Sequence, residues 1–391
     1  MLQELILRFG KQRTEVNKWL FDKKQIAGMH PFYASCDIRN SGYKIGVVDT
    51  NLFPAGFNNI CEGFLRAAHP IINNYFSTYF KGAKKIGILT EEHTRNIFYI
   101  QNVEALSKTI SESGYSVQIF NNLDSLVEKQ NEVDCVIVNN DFSGGLPDKM
   151  NTLSVPLIPP PQAGWHTRQK NEHFFELKKI TNELAQLLGV DPWLLFPETE
   201  VIDNIDINDA KSRELLAQKA SEIINKISIN YKKNGIESKP YLYIKDDSGT
   251  YGIGIETVED ASEILSFNKK RRATFKSGKN KKPISSLLIQ EGIPSSERVQ
   301  TFVSEPVVYM INNTAIGGFF RMHEEATERS SLNRPGMQFS KLCFHETTQY
   351  KNSVLKNCNV ADLEALYFTL GACASIAAAE EIKILLQKNS Q

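Results

Sequence analysis

The sequence predicts an α/β protein whose C-terminal part becomes α+β. Three observations carry this: apolar strands that alternate with helical stretches, a proline cluster in mid-chain, and long strand and hairpin patterns beyond it. Residues 3–27 set Leu5, Phe9, Val16, Trp19 and Leu20 at helical spacing among charges, so the chain opens on an amphipathic helix. Segments 43–49 (YKIGVVD), 84–90 (KKIGILT), 116–120 (SVQIF) and 134–141 (DCVIVNND) read as strands, with helices over 58–79 and 95–113 between them. Such strands, apolar on both faces, lie side by side in a parallel sheet covered on both sides. Pro156, Pro159, Pro160 and Pro161 can continue neither a helix nor a central strand, so a boundary there divides the chain into 1–160 and 161–391. Past it come a helix (168–188), a strand (194–202), a charged helix (208–232) and the strands 241–247 and 286–293. Residues 306–322 then read as a hairpin turning at Asn312-Asn313. The apolar run 366–379 is shorter than the roughly 20 residues that cross a bilayer and reads as a buried helix.

A chain of 391 residues, 41% hydrophobic and 23% charged, can bury a large core in two or three packed units. Forty-five Lys and Arg balance 45 Asp and Glu, so no overall field recommends a nucleic acid or an anionic membrane, and small-molecule partners are expected. The opening MLQELILRFG lacks the apolar core and cleavage site of a signal peptide, and the six cysteines form no CxxC pair, which fits reduced, structural thiols in the cytoplasm. The basic stretch 267–282 reads as a solvated loop, and His69 and His345 read as structural.

Lys245-Asp246-Asp247-Ser248-Gly249-Thr250-Tyr251-Gly252-Ile253-Gly254 follows a strand whose end delivers the lysine, and its small residues let backbone N–H groups approach phosphate oxygens. The lysine precedes the glycines, unlike a P-loop, and a structural hairpin with glycine turns would carry the same pattern. An apolar strand ending at Gln290-Glu291 comes next, then Glu305-Pro306, Gly317-Gly318-Phe319-Phe320-Arg321, and Glu328 through Gly336. Nearer the start, Asp49-Thr50-Asn51 ends a strand and Asn58-Asn59 opens a helix, an arrangement suited to amino-acid recognition or to plain capping. His93 and Arg95 in Thr90–Asn96, and Asn140 in Asn139–Asp141, add two more polar strand ends, which together suggest a cleft on one sheet edge. Arg168 and Lys170 begin a helix as candidates for substrate carboxylates, or as a solvated first turn.

This order of lysine strand, glycine loop, hinge strand and distal acidic, Arg and Asn segment resembles the ATP-grasp superfamily. Within it, residues 48–59, 245–255, 305–313, 317–323 and 333–337 resemble the ATP-grasp type of glutamate–cysteine ligase over nearly the whole chain. The resemblance implies a pre-ATP-grasp domain followed by an ATP-grasp domain, with a glycine-loop lid around 245–285. It implies ATP-dependent joining of the L-glutamate γ-carboxylate to L-cysteine through an acyl phosphate, the first step of glutathione biosynthesis, with ATP and Mg2+ as cofactors. By the same resemblance Lys245 contacts the phosphates, Ser248, Gly249, Thr250, Gly252 and Gly254 form the lid, and Gln290 and Glu291 border the adenine. Arg321 faces the transferring phosphoryl as the catalytic partner of Lys245, while Asp49, Thr50, Asn51, Asn58, Asn59, His93, Arg95, Asn140 and Arg168 serve the amino-acid substrates. Related ligases carry metal ligands as Glu-x-Asn on one strand. No such pair follows residue 340, so Glu305, Glu325 and Asn333 stand as metal candidates by type and neighbourhood. A homo-oligomer is compatible with all of this. The competing readings are another carboxylate–amine ligase such as a glutathione synthetase, a non-catalytic ATP and amino-acid sensor, and a kinase that stops at the phosphorylated product.

Overall fold

The computed structural model describes residues 1–26, 30–92, 96–249, 254–275, 284–342 and 359–388. The candidates His93, Arg95, Thr250 and Gly252, with His345 and residues 276–282 of the basic stretch, lie outside the described residues. The opening helix is two helices, α1 (Leu2–Lys11) and α2 (Arg13–Ile26). After β1 (Tyr33–Asn40) and β2 (Ile45–Asn51) come α3 (Glu62–Ala67), α4 (His69–Tyr79), β3 (Lys85–Leu89), α5 (Ile97–Glu112), β4 (Ser116–Phe120), α6 (Leu123–Lys129), β5 (Cys135–Val138) and β6 (Leu157–Ile158). Helix α7 (Lys170–Leu188) leads to β7 (Thr199–Asp203), α8 (Ala210–Lys233), β8 (Leu242–Asp246), β9 (Ile255–Val258), α9 (Ser262–Leu265), α10 (Lys269–Thr274) and β10 (Ser286–Glu291). The chain then forms β11 (Arg298–Val299), β12 (Phe302–Ile311), β13 (Thr314–His323), β14 (Gln338–Lys341) and the long helix α11 (Val360–Lys388).

The strands make three sheets. One is parallel, in the order β4-β3-β5-β6, and takes in three of the four segments expected in it. The fourth, 43–49, is a correction: it is β2, antiparallel to β1 in a six-stranded sheet ordered β14-β13-β12-β1-β2, with β11 on β12. A buried antiparallel strand has the same doubly apolar pattern as a parallel one. What distinguishes it is the short link, closed by Ser41 N–H donating to the Lys44 carbonyl, far shorter than a parallel crossover allows. The third sheet, β7-β10-β8-β9, is antiparallel throughout.

The β12–β13 hairpin turns at Asn312 and Asn313, whose positive φ values of 48° and 56° are those a two-residue turn of this twist demands. On one face of this sheet Cys36, Ile38, Val308 and Met310 pack against Leu366, Leu370 and Cys373 of α11. On the other, Tyr33, Val307, Tyr309 and Phe319 join the core of the parallel-sheet unit through Phe57, Ile72, Ile88 and Ile137. The four-stranded sheet has its own core against α8, built on Leu216, Ile223, Ile227, Leu242, Ile244 and Ile289. Helix α11 runs for 29 residues and by length and composition alone could cross a membrane, longer than the apolar run suggested. Of its most apolar stretch, 72% is buried inside the fold, as befits a core helix.

Candidate active site

The six-stranded and four-stranded sheets face each other across a polar cleft. Strand alternation supplies its floor. On β1, Cys36 and Ile38 point into the α11 core, so Asp37 and Arg39 face the opening. The same rule places Glu305 of β12 beside Val307, and Arg321 of β13 beside Phe319. Between Asp37 and Ile38 the register with β2 shifts by one residue, and this bulge lets Val48 and Asp49 both reach the cleft. On the roof, Leu242 and Ile244 of β8 point into the α8 core, leaving Tyr243 and Lys245 facing the floor. Gly249, Lys170, Ser331 and Asn333 complete the walls.

Charge is dense and paired here. Arg321 Nη1 donates to Asp37 Oδ2 at 2.5 Å and to Glu305 Oε1 at 2.9 Å. The second oxygen of Glu305 accepts from Arg39 Nε at 2.6 Å, and Arg39 also reaches the carbonyls of Glu328 (3.2 Å) and Ser330 (2.7 Å). Burial pushes the Asp37 carboxyl above the usual range against the pull of Arg321. Burial disfavours the charged Arg321 too, but Asp37 and Glu305 together raise its pKa and keep it protonated.

On the roof, the acceptors of Lys245 Nζ among the described residues are neutral, Gln290 Oε1 at 2.7 Å and the Val48 carbonyl at 3.1 Å. Its pKa falls to about 8, because burial outweighs the attraction of Asp49. Asp49 instead takes Lys170 Nζ at 2.6 Å; burial raises its carboxyl, but Lys170 and Lys245 lower it further. Lys170 opens α7, whose first turn is capped from another element: Asp247 Oδ1 accepts the Asn171 N–H at 2.8 Å, and the Asp247 carbonyl accepts that of Lys170 at 2.8 Å. These two bonds tie the base of the glycine loop to the turn that carries Lys170. Ser248 is folded back onto Asp246 Oδ1 through its N–H (3.0 Å) and hydroxyl (3.1 Å). Gly254 holds φ at 73°, with a Cβ position only 2.9 Å from the Asp246 side chain, so a larger residue would be strained there.

The lowered lysine gives a pH prediction. An anion held by the Lys245 ammonium should bind up to about tenfold more weakly per pH unit above pH 8 as the free lysine loses its proton, and Lys245→Arg should flatten that slope in a titration by calorimetry. The stability contribution has the opposite sign. With the folded pKa at about 8 and the ordinary lysine value at 10.5, the unfolded chain binds more protons between them, so this group's share of stability rises with pH across that window.

Of the sequence candidates, the cleft gathers Lys245, Gly249, Arg321, Asp49, Glu305 and Asn333. Others are placed elsewhere. Glu291 is a correction for its side chain: the carboxylate is buried against Lys44, Trp193 Nε1 (3.2 Å) and the Glu198 N–H (2.9 Å) and does not line the cleft. Gln290 is buried with its carbonyl on Lys245, and its Nε2 has no partner among the described residues. Arg168 is a second correction, since its guanidinium is engaged by Glu381 and the Thr50 carbonyl. Glu325 is a third: it is exposed outside the cleft, with its N–H on His323 Nδ1. Asn51 and Asn140 each accept a backbone N–H two residues on, from Phe53 and Phe142, in local turns.

Among the described residues, the strand ends of the parallel sheet are engaged in holding a neighbouring loop. Asn139 donates to Tyr33 Oη (2.9 Å) and the Pro54 carbonyl (3.1 Å), while Asn102 Oδ1 holds the N–H groups of Gly56 and Phe57. These side chains brace the loop before the turn Phe57–Asn59, where Asn58 and Asn59 are half-buried. Sequence reading missed Asp37, Arg39 and Tyr243. The alternation of Tyr33, Ser35, Asp37 and Arg39 against Ala34, Cys36 and Ile38 was the available signal.

Comparison with known proteins places this geometry. The family model GshA, glutamate-cysteine ligase, matches residues 7–132 and 118–382. A protein of Methylobacillus flagellatus KT, provisionally named a gamma-glutamylcysteine synthetase, is 29% identical and superposes with a TM-score of 0.84, covering 99% of this chain and 96% of that one. A glutathione synthetase-like effector of Globodera pallida is 10% identical with a TM-score of 0.39, covering 87% of this chain and 84% of its own. The D-alanine–D-alanine ligase of Bacillus anthracis is 10% identical with a TM-score of 0.29, covering 79% of this chain and 100% of its own. Neither of these two is close enough to carry an argument. No curated protein matches the sequence.

Proposed function

The chain belongs to the glutamate–cysteine ligase family, and from that membership we propose that it joins the γ-carboxylate of L-glutamate to the amine of L-cysteine, using ATP and passing through an acyl phosphate. The single observation that supports this chemistry is the cleft itself. Two buried lysines, Lys170 and Lys245, stand opposite an arginine, Arg321, that is oriented by two carboxylates.

In this reading the lysines act as point charges on the nucleotide phosphates, which need positioning and charge balance more than covalent help. A glutamate carboxylate oxygen attacks the γ-phosphorus in line, and the Arg321 fork holds the equatorial oxygens. The cysteine amine, once deprotonated, adds to the mixed anhydride. Arg321 and nearby backbone N–H groups stabilise the tetrahedral oxyanion, and phosphate leaves. Gly249 stands at the wall of the cleft, where a covering segment would keep water from the acyl phosphate.

Magnesium fits the donor chemistry present. Among the described residues no three His, Cys, Asp or Glu side chains form a ready metal cluster. Magnesium, however, is usually held by one or two carboxylates plus phosphate oxygens and water, and Asp37, Asp49, Glu305 and the amide of Asn333 offer hard oxygens in the cleft. Asp49 and Asn51 also carry the carboxylate-x-amide spacing on one strand face, here before the lysine strand instead of after it. The ion would neutralise phosphate charge, while Arg39 keeps Glu305 oriented toward the opening.

The test is ADP release by the purified protein with Mg2+, ATP and glutamate, with and without cysteine. Cysteine-dependent turnover that disappears in Lys245→Ala is the expected result. ATP binding without stimulation by any amino-acid pair would remove the ligase reading in favour of a sensor, and ADP release with glutamate alone would indicate a kinase.

A further inference from the structure

The C-terminal helix reaches the cleft through a buried ion cluster that the proposed chemistry does not use. Arg168 is 1% exposed and Glu381, on α11, is fully buried. Arg168 Nε and Nη2 grip the two Glu381 oxygens at 2.5 and 3.0 Å, and His173 Nδ1 adds a third contact at 3.1 Å. Burial works against the charged Glu381, yet Arg168 and His173 hold its carboxyl down at about 2. A buried ion pair of this kind is often no more stabilising than well-packed apolar side chains, so its presence calls for a geometric reason.

That reason lies on the far side of the guanidinium. The remaining arm, Nη1, donates to the Thr50 carbonyl at 2.7 Å, immediately after Asp49. Arg168 and Lys170 also stand over the same indole, each 4.5 Å from the Trp165 ring centre. Lys170 then closes the circuit on Asp49 at 2.6 Å. Both the lysine and its carboxylate partner are therefore located by groups that Arg168 touches, and Arg168 is itself located by Glu381.

We propose that Arg168 and Glu381 are positioning residues that set the Lys170–Asp49 pair for nucleotide phosphate binding, making α11 a working part of the nucleotide site. This rests on the proposed use of ATP, but its test needs no turnover. The test is a double-mutant cycle on the full-length protein, with Mg-ATP affinity read by calorimetry and folding by thermal unfolding. Glu381→Gln, which keeps shape and removes charge, should weaken Mg-ATP about tenfold when Lys170 is present and less than about twofold in a Lys170→Ala background. Arg168→Lys carries the same cycle if Glu381→Gln does not fold. Equal factors in both backgrounds, or unchanged affinity in a folded variant, would overturn the proposal. The ligase reading fails separately, on absence of cysteine-dependent ADP release from the unaltered protein.

Discussion

Arg321→Ala is expected to lower turnover by about 10²–10³-fold, the usual consequence of removing one preorganised donor from a developing oxyanion. It should also destabilise the protein, because two acids depend on this guanidinium. Asp37 and Glu305 would be left in a buried site with one cation fewer, and breaking a buried pair typically costs about 3–5 kcal/mol. Arg39 still holds one oxygen of Glu305, so Asp37 is the group stranded. Arg321→Lys separates the two effects. An ammonium restores the charge near Asp37 but cannot span two oxygens in a plane, so stability should largely return while turnover stays low. Chemical denaturation alongside ADP release reads both. Turnover recovering together with stability in the lysine variant would show that Arg321 is structural.

Lys44→Met is the second large effect, and it falls on stability instead of chemistry. Lys44 and Glu291 each expose 1% of their side chains, and the ammonium also lies 4.3 Å from the Trp193 ring centre. Removing the lysine leaves a buried carboxylate with only neutral donors, Trp193 Nε1 and the Glu198 N–H, and should cost about 3–5 kcal/mol. Lys44→Met combined with Glu291→Met replaces the charges with packable apolar volume and should recover most of that loss in a denaturant titration. A double variant as unstable as the single would mean that the loss is packing around Trp193, with no part in it for the stranded charge. Burial already lowers the Lys44 pKa to about 8 against the pull of Glu291, so desolvation is the larger force at this site.

Legibility in the sequence followed the range of the interactions. Strands β3, β4, β5, β8 and β10 and the Asn312-Asn313 turn rest on local pattern and backbone preference, and both are written in the residues themselves. The sheet to which β2 belongs depends on the pairing of β1 with β12, some 270 residues away, and no local window contains that information. The site divided the same way. Lys245 and Arg321 stand at strand positions with a recognisable order of motifs around them. Glu291 and Arg168 looked available because a charged side chain in a string of letters carries no sign of the counter-charge, Lys44 or Glu381, that neutralises it. Asp37 escaped because residues 28–42, which hold its strand, were assigned to no element.

The pairing of β1 with β12 also bears on how the protein is made. Asp37 and Asp49 leave the ribosome early, whereas Glu305 and Arg321, which complete their sheet, are synthesised some 250 to 280 residues later. During that interval the hairpin β1–β2 lacks its neighbour β12 on one edge and, on its apolar face, the cover that α11 finally adds. The cleft is thus among the last parts of the molecule to come into existence, and a chain released before residue 323 would have its roof with an unfinished floor.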